Sequence, residues 1–115
     1  MRRDYRLYLD DMLEASRRIR EYMGDVTFES YLKDTKLLDA VVRNVEVIGE
    51  AASHVPDEIR KSNPDIEWKR IIGLRNIIAH EYFGIDYAVL WQIVKSGLTG
   101  LEEQVKVMLD NYKEY

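Results

Sequence analysis

Arg75-Asn76-Ile77-Ile78-Ala79-His80-Glu81-Tyr82, followed by Phe83-Gly84-Ile85-Asp86, is the stretch on which the reading of this chain turns. An apolar-periodic run from Trp68 through Ile71, Ile72, Ile78 and Ala79 leads into it, the pattern of a helix with one buried face. Gly84 then offers a helix-stop signal, and Asp86 a side-chain cap for a further helix. Arg75 is therefore expected in mid-helix, with His80 and Tyr82 in its last turn or just past it. Helix gives way to helix, and the neighbouring segments repeat that pattern.

Upstream, Tyr5, Tyr8, Leu9, Met12, Ala15, Ile19, Tyr22 and Met23 recur in steps of three and four, which predicts an amphipathic helix from Asp4 to Met23 stopped by Gly24. Asp25 or Thr27 can cap a short turn through Phe28, Tyr31 and Leu32. Asp34 or Thr35 then opens a long helix to about Ser53, with Leu38, Val41, Val42, Val45, Ile48 and Ala52 as its stripe. Gly49 inside that helix costs about 1 kcal/mol relative to Ala, so it is either tolerated or placed for close helix contact. Pro56 can start a short helix to Lys61, and Ser62-Asn63-Pro64-Asp65 is the clearest breaker, with the motif helix beginning near Ile66.

Downstream of Asp86, a stripe from Tyr87 and Leu90 to Met108 and Tyr112 crosses Gly97 and Gly100, which points to a kink or to two abutting helices. No strand-like alternation of useful length is present. The expectation is an all-α bundle of four to five principal helices forming one domain over residues 1–115.

Helix geometry limits how the motif residues can cooperate. At about 100° per residue, Asn76 and His80 lie roughly 40° apart on one face, whereas Arg75 and His80 diverge by about 140°. A second copy of the helix would bring an Arg and a His together more easily, which favours a cleft between helices or between subunits. Arg is a permanent planar donor suited to phosphate. A His with a pKa near 6.5 can take or give a proton at neutral pH. That pair is what metal-free phosphodiester cleavage requires: a base to activate a ribose 2′-hydroxyl and a cation to stabilise the developing charge. The 2′-hydroxyl makes RNA the substrate. Against this stands a plainer view, in which the His interacts with the last helix carbonyls and the Arg is solvated.

Arg75, four residues, His80, one residue and Tyr82 resemble the signature of the HepT-like toxins of the HEPN superfamily. The resemblance extends to residues 3–13, 39–52, 68–76 and Tyr82-Phe83-Gly84-Ile85-Asp86, running from about residue 3 to residue 107. It implies a HEPN-like helical homodimer and a ribonuclease of a type VII toxin–antitoxin system, with Arg75 and His80 as the catalytic pair. It also implies a minimal nucleotidyltransferase antitoxin that transfers AMP to Tyr82, and no cofactor. Asn76 is expected to help position the catalytic pair. Glu46 and Glu50, four apart on one face, could orient the Arg or contact ligand, although an Arg43–Glu46 surface pair is the simpler expectation. His54 is expected to be a helix-end residue, and Trp68 a core anchor. Two other functions compete: a noncatalytic nucleotide- or substrate-binding subunit of a two-component nucleotidyltransferase, and a dimeric interaction module whose motif is structural.

Composition bounds these readings. The chain has 115 residues, 46% of them hydrophobic, enough for one modest core of the size that oligomerisation often completes. There is no cysteine, and two histidines make a dedicated structural zinc site improbable. The first residues are charged, and no run approaches the roughly 20 apolar residues that span a bilayer, so a cytoplasmic protein without membrane contact is expected. A net charge of −4 argues against a general nucleic-acid coat, but leaves room for a local basic cleft. Arg2, Arg3, Arg6, Arg17, Arg18 and Arg20 gather positive charge near the start, where solvated helix faces explain them at least as well.

Overall fold

The computed structural model describes residues 3–80 and 84–112, with the side chains of 77–80 outside the description. Asp4 caps the first helix, α1 (Tyr5–Met23), through a carboxylate that accepts from the Arg6 N–H. Gly24 ends it at φ +46°, a left-handed conformation that glycine adopts without strain. Thr27 caps α2 (Phe28–Lys33). Asp34 then does two things. Its backbone N–H bonds to Tyr31 O to close α2, and its carboxylate accepts from Leu37 N–H to open α3 (Thr35–Ser53).

Pro56 stands at the cap of α4 (Asp57–Lys61), one position before the place expected for it. The breaker after α4 is a built turn. Trp68 Nε1 donates to Asn63 O at 3.0 Å, and Asn63 Nδ2 donates to Ile59 O at 2.8 Å. That turn delays the motif helix, which runs as α5 (Trp68–His80) and not from Ile66. Asp86 caps α6 (Tyr87–Gln92), accepting from Ala88 and Val89. A π-helical stretch, Ile93–Gly97, follows α6, and Gly100 at φ +82° precedes α7 (Leu101–Tyr112). The expected break near the glycines is thus a widened turn followed by a new helix.

Among the described residues every regular element is helical. Seven α-helices are present there, four of them long. The short ones serve as corners, so the expected four to five principal helices match the long set. α3 is the central element, packed against α1 on one side and α5 on the other, while α7 covers the remaining flank of α1. Leu9 and Met12 from α1, Val41, Val45 and Ile48 from α3, and Val105 from α7 are all essentially solvent-free. Each such side chain contributes roughly 1.5–3 kcal/mol of burial free energy before entropy is counted. Trp68 is a core residue, as its apolar spacing predicted.

The arginines of α1 and its leading residues belong to ion pairs. Arg3 binds Asp11 at 2.7 Å, Arg6 binds Asp4, Arg17 binds Glu14 and Glu21, Arg18 binds Glu14, and Arg20 binds Glu102. Much of the charge of these arginines is thus matched by nearby carboxylates, and Arg2 lies outside the described residues. No helix among the described residues is long and apolar enough to cross a membrane.

Candidate functional site

α3 and α5 approach each other most closely at Arg75. A methyl group added to Gly49 would stand 2.8 Å from the Arg75 backbone nitrogen and 3.2 Å from both Arg75 Cβ and Ile71 O. Glycine is therefore required here by proximity, and its helix-propensity cost of about 1 kcal/mol is offset by what the contact places. Leu74 beside Arg75 is buried, Arg75 itself is half-buried, and Asn76 is exposed. The α-helix is unbroken from Trp68 through His80, so the Arg75 and His80 backbone positions keep their divergence of about 140°. The His80 side chain and all of Tyr82 lie outside the described residues.

Glu50 follows Gly49, so the same approach brings its carboxylate to the guanidinium. Arg75 Nη1 donates to Glu50 Oε2 at 3.3 Å, and His54 Nε2 lies 3.1 Å from Glu50 Oε1. The hydrogen bond from His54, and then that from Arg75, holds the Glu50 carboxyl below the usual range of glutamate. Glu50 is 56% exposed and the arginine bond is long, so this ion pair adds no more than about 0–1 kcal/mol of stability. Its consequence is directional. One carboxylate biases the Arg75 guanidinium towards α3.

The arrangement corrects one expectation. An Arg43–Glu46 pair does not form, and among the described residues neither side chain has an ion-pair partner, although the i,i+3 spacing would allow one. His54 ends α3, as expected, with its backbone N–H bonded to Ala51 and Ala52. Its ring does more than cap. It stacks on Tyr8 of α1 with centroids 4.8 Å apart and planes within 18°, and the Arg3 guanidinium lies 4.7 Å from the same Tyr8 ring. Sequence reasoning took Tyr8 as a stripe residue and missed this cluster. The Glu50–His54 spacing of four could have signalled that pair, though not the stack on Tyr8.

Tyr8, Arg43, Glu46, Glu50 and His54 face a pocket of about 330 Å³ between α1 and α3, with Val47 as part of its apolar wall. Its polar edge reaches Arg75 through Glu50. Among the described residues no group of three or more His, Cys, Asp or Glu side chains is arranged to hold a metal ion.

Comparison with known proteins identifies the family. The family described as "HepT-like: Ribonuclease HepT-like" matches residues 12–108. "Putative RNase MJ1380" of Methanocaldococcus jannaschii is 36% identical over 107 residues, covering 93% of this chain and 98% of that protein. "Putative RNase TTE0752" of Caldanaerobacter subterraneus subsp. tengcongensis is 37% identical, covering 94% of this chain and 96% of its own. "Probable ribonuclease HepT" of Thermococcus cleftensis is 37% identical over 102 residues, covering 89% and 93% respectively. No solved structure matches. With a family match across most of its length and relatives above 30% identity along nearly all of theirs, this chain belongs to the ribonuclease HepT-like family.

Proposed function

We propose that this protein is a metal-independent endoribonuclease acting as the toxin of a type VII toxin–antitoxin pair in the cytoplasm. The observation that carries this reading is the placed Arg75, held close at its backbone by Gly49 and bonded at its side chain by Glu50, on the helix that also carries His80. Family membership and the names of the relatives support the reaction class.

In the proposed reaction the His80 imidazole accepts the proton of a ribose 2′-hydroxyl. The 2′-oxygen attacks the adjacent phosphorus, the bond from phosphorus to the 5′-oxygen breaks, and that oxygen leaves with a proton. The products are a 2′,3′-cyclic phosphate and a 5′-hydroxyl. Arg75 offers planar, permanent donors to the phosphate as charge gathers on its oxygens. Asn76 lies on the face of His80 and orients the ring. Glu50 keeps the guanidinium aimed.

The divergence of Arg75 and His80 on one helix supports a homodimer in which the motif helices of two copies meet. Tyr82 is the proposed acceptor of AMP from a partner nucleotidyltransferase. An adenylyl group there adds bulk and negative charge where RNA phosphate must bind, which excludes substrate by repulsion.

The test is to incubate protein of confirmed unmodified mass with cellular RNA and chelator, beside His80→Ala. Cleavage by the wild type alone, with cyclic-phosphate ends, is expected. Failure of both proteins to cleave would instead favour the noncatalytic nucleotidyltransferase-subunit reading.

A further inference from the structure

We propose that the pocket between α1 and α3 binds a guanine base of the RNA whose phosphate is drawn to Arg75; the inference rests on the ribonuclease reading above. Three observations converge on it. The first is an unused donor–acceptor pair. Arg43 and Glu46, three residues apart on α3, both face the pocket, yet among the described residues they pair neither with each other nor with any other charge. A permanent cation and a carboxylate left side by side suit a ligand that offers acceptors next to donors.

The second observation is the wall. Tyr8, His54 and the Arg3 guanidinium are already arranged in ring contact, with His54 half exposed. Aromatic rings and guanidinium planes are the surfaces on which unpaired RNA bases stack. Val47 supplies apolar surface beside them. A volume of about 330 Å³ lies at the small end of the range for ligand pockets, roughly 300–1,000 Å³.

The third is continuity. Glu50 lines the pocket and also bonds Arg75 at 3.3 Å, so a nucleotide seated by its base has its phosphate side near the guanidinium.

Guanine fits this pair best. Its O6 and N7 accept two bonds from an arginine fork, and its N1–H and N2–H₂ donate to a carboxylate, which can accept on both oxygens. Adenine and cytosine each offer one amino group, and uracil one ring N–H, so each satisfies fewer of these bonds. A bidentate contact of this kind discriminates by about tenfold or more.

The test uses the unmodified full chain and single-stranded RNAs identical but for one position, filled in turn by each base. GMP is titrated in parallel while the Tyr8 and His54 NMR signals are followed. The expected result is a kcat/KM about tenfold higher for the guanine strand, GMP-dependent shifts of both rings, and collapse of the preference towards one in Glu46→Gln. Equal cleavage of all four strands, or any base preference that survives Glu46→Gln, overturns the pocket and leaves the ribonuclease reading standing. If no strand is cleaved, that reading falls separately and the titration decides. Ring shifts lost in Glu46→Gln then uphold the guanine site, and their absence overturns it.

Discussion

Gly49→Ala is the substitution that tests how Arg75 is placed. The added methyl would sit 2.8 Å from the Arg75 nitrogen, about 0.6 Å inside ordinary contact distance, and 3.2 Å from Ile71 O. Both obstacles include main chain, so neither can rotate away. α3 and α5 must shift apart by something of that order. Crowding of this kind costs about 1–3 kcal/mol, and the helix-propensity gain from Gly to Ala returns about 1 kcal/mol. The net loss of stability is therefore modest, about 0–2 kcal/mol, and the protein should remain folded at 25 °C. Activity should suffer more, because a displacement near 1 Å in a catalytic group can cost on the order of 100-fold. The assay is kcat/KM for RNA cleavage beside urea unfolding, with Gly73→Ala as the internal control. At Gly73, on α5 two residues before Arg75, an added methyl meets nothing within 4 Å. That variant should be more stable by roughly 0.5–1 kcal/mol and keep its activity. If Gly49→Ala instead gains stability like Gly73→Ala and cleaves RNA normally, the idea that glycine sets the position of Arg75 is wrong.

Other perturbations have defined outcomes. Tyr31 is fully buried and donates its hydroxyl to Tyr87 O at 2.8 Å, so Tyr31→Phe should lower unfolding free energy by about 1–2 kcal/mol, measured with urea at pH 7. Burial pushes the Tyr31 hydroxyl up to about 12, above its unfolded value near 10. The contribution of the neutral ring is thus complete below about pH 10 and lost as pH rises towards 12, and the phenylalanine variant should show a smaller alkaline loss between those limits. The Glu50 carboxyl is held low by His54 and Arg75, so its tether to Arg75 should persist at pH values above the ordinary glutamate range near 4.3 and release only as pH falls through the lower folded value. An NMR titration of Glu50 should show its pKa rising in both His54→Ala and Arg75→Ala; an unchanged midpoint would mean that the contacts are not made in solution. Ile48→Ala empties a solvent-free position on α3 and should cost about 2–5 kcal/mol in thermal or urea unfolding, whereas Val107→Ala, half exposed on α7, should stay within about 0.5 kcal/mol of wild type.

Much of the fold was legible because its signals are local. Asp34 and Asp86 are short acceptors placed just before apolar-periodic runs, and each caps the helix that its position announces, while Asp4 proves to be the cap of α1 and not its first residue. Gly24 marks a stop that depends only on its own backbone. What the sequence left open depends on partners distant in the chain. Gly49 read equally well as tolerated or as a contact point until α5 lay against it. Glu46 and Glu50 share one face by spacing and both line the pocket, yet the packing of α5 on α3 brings Arg75 to Glu50 alone. The His54–Tyr8 stack joins two helices, and no periodicity within either one signals it. The glycines pointed to a kink or to two abutting helices, and the π-helical turn followed by α7 is nearer the second, since glycines announce a break in helical order without stating its geometry.

The flanking of α1 by both α3 and α7 has a consequence for how the protein is made. α1 leaves the ribosome as an apolar stripe of which α3 covers only one side. The other side waits for Leu101–Tyr112, on the order of ten seconds later at ordinary rates of synthesis. Part of the α1 surface stays uncovered until then, so the newborn chain carries a sticky, unfinished face for most of its synthesis. A chain interrupted before α7 would keep α3 and α5, with Gly49 and Arg75 encoded, yet leave open the flank on which α1 depends. Formation of α7, far from Arg75 in sequence, thus bears on whether the helix packing around α1 and α3 is completed.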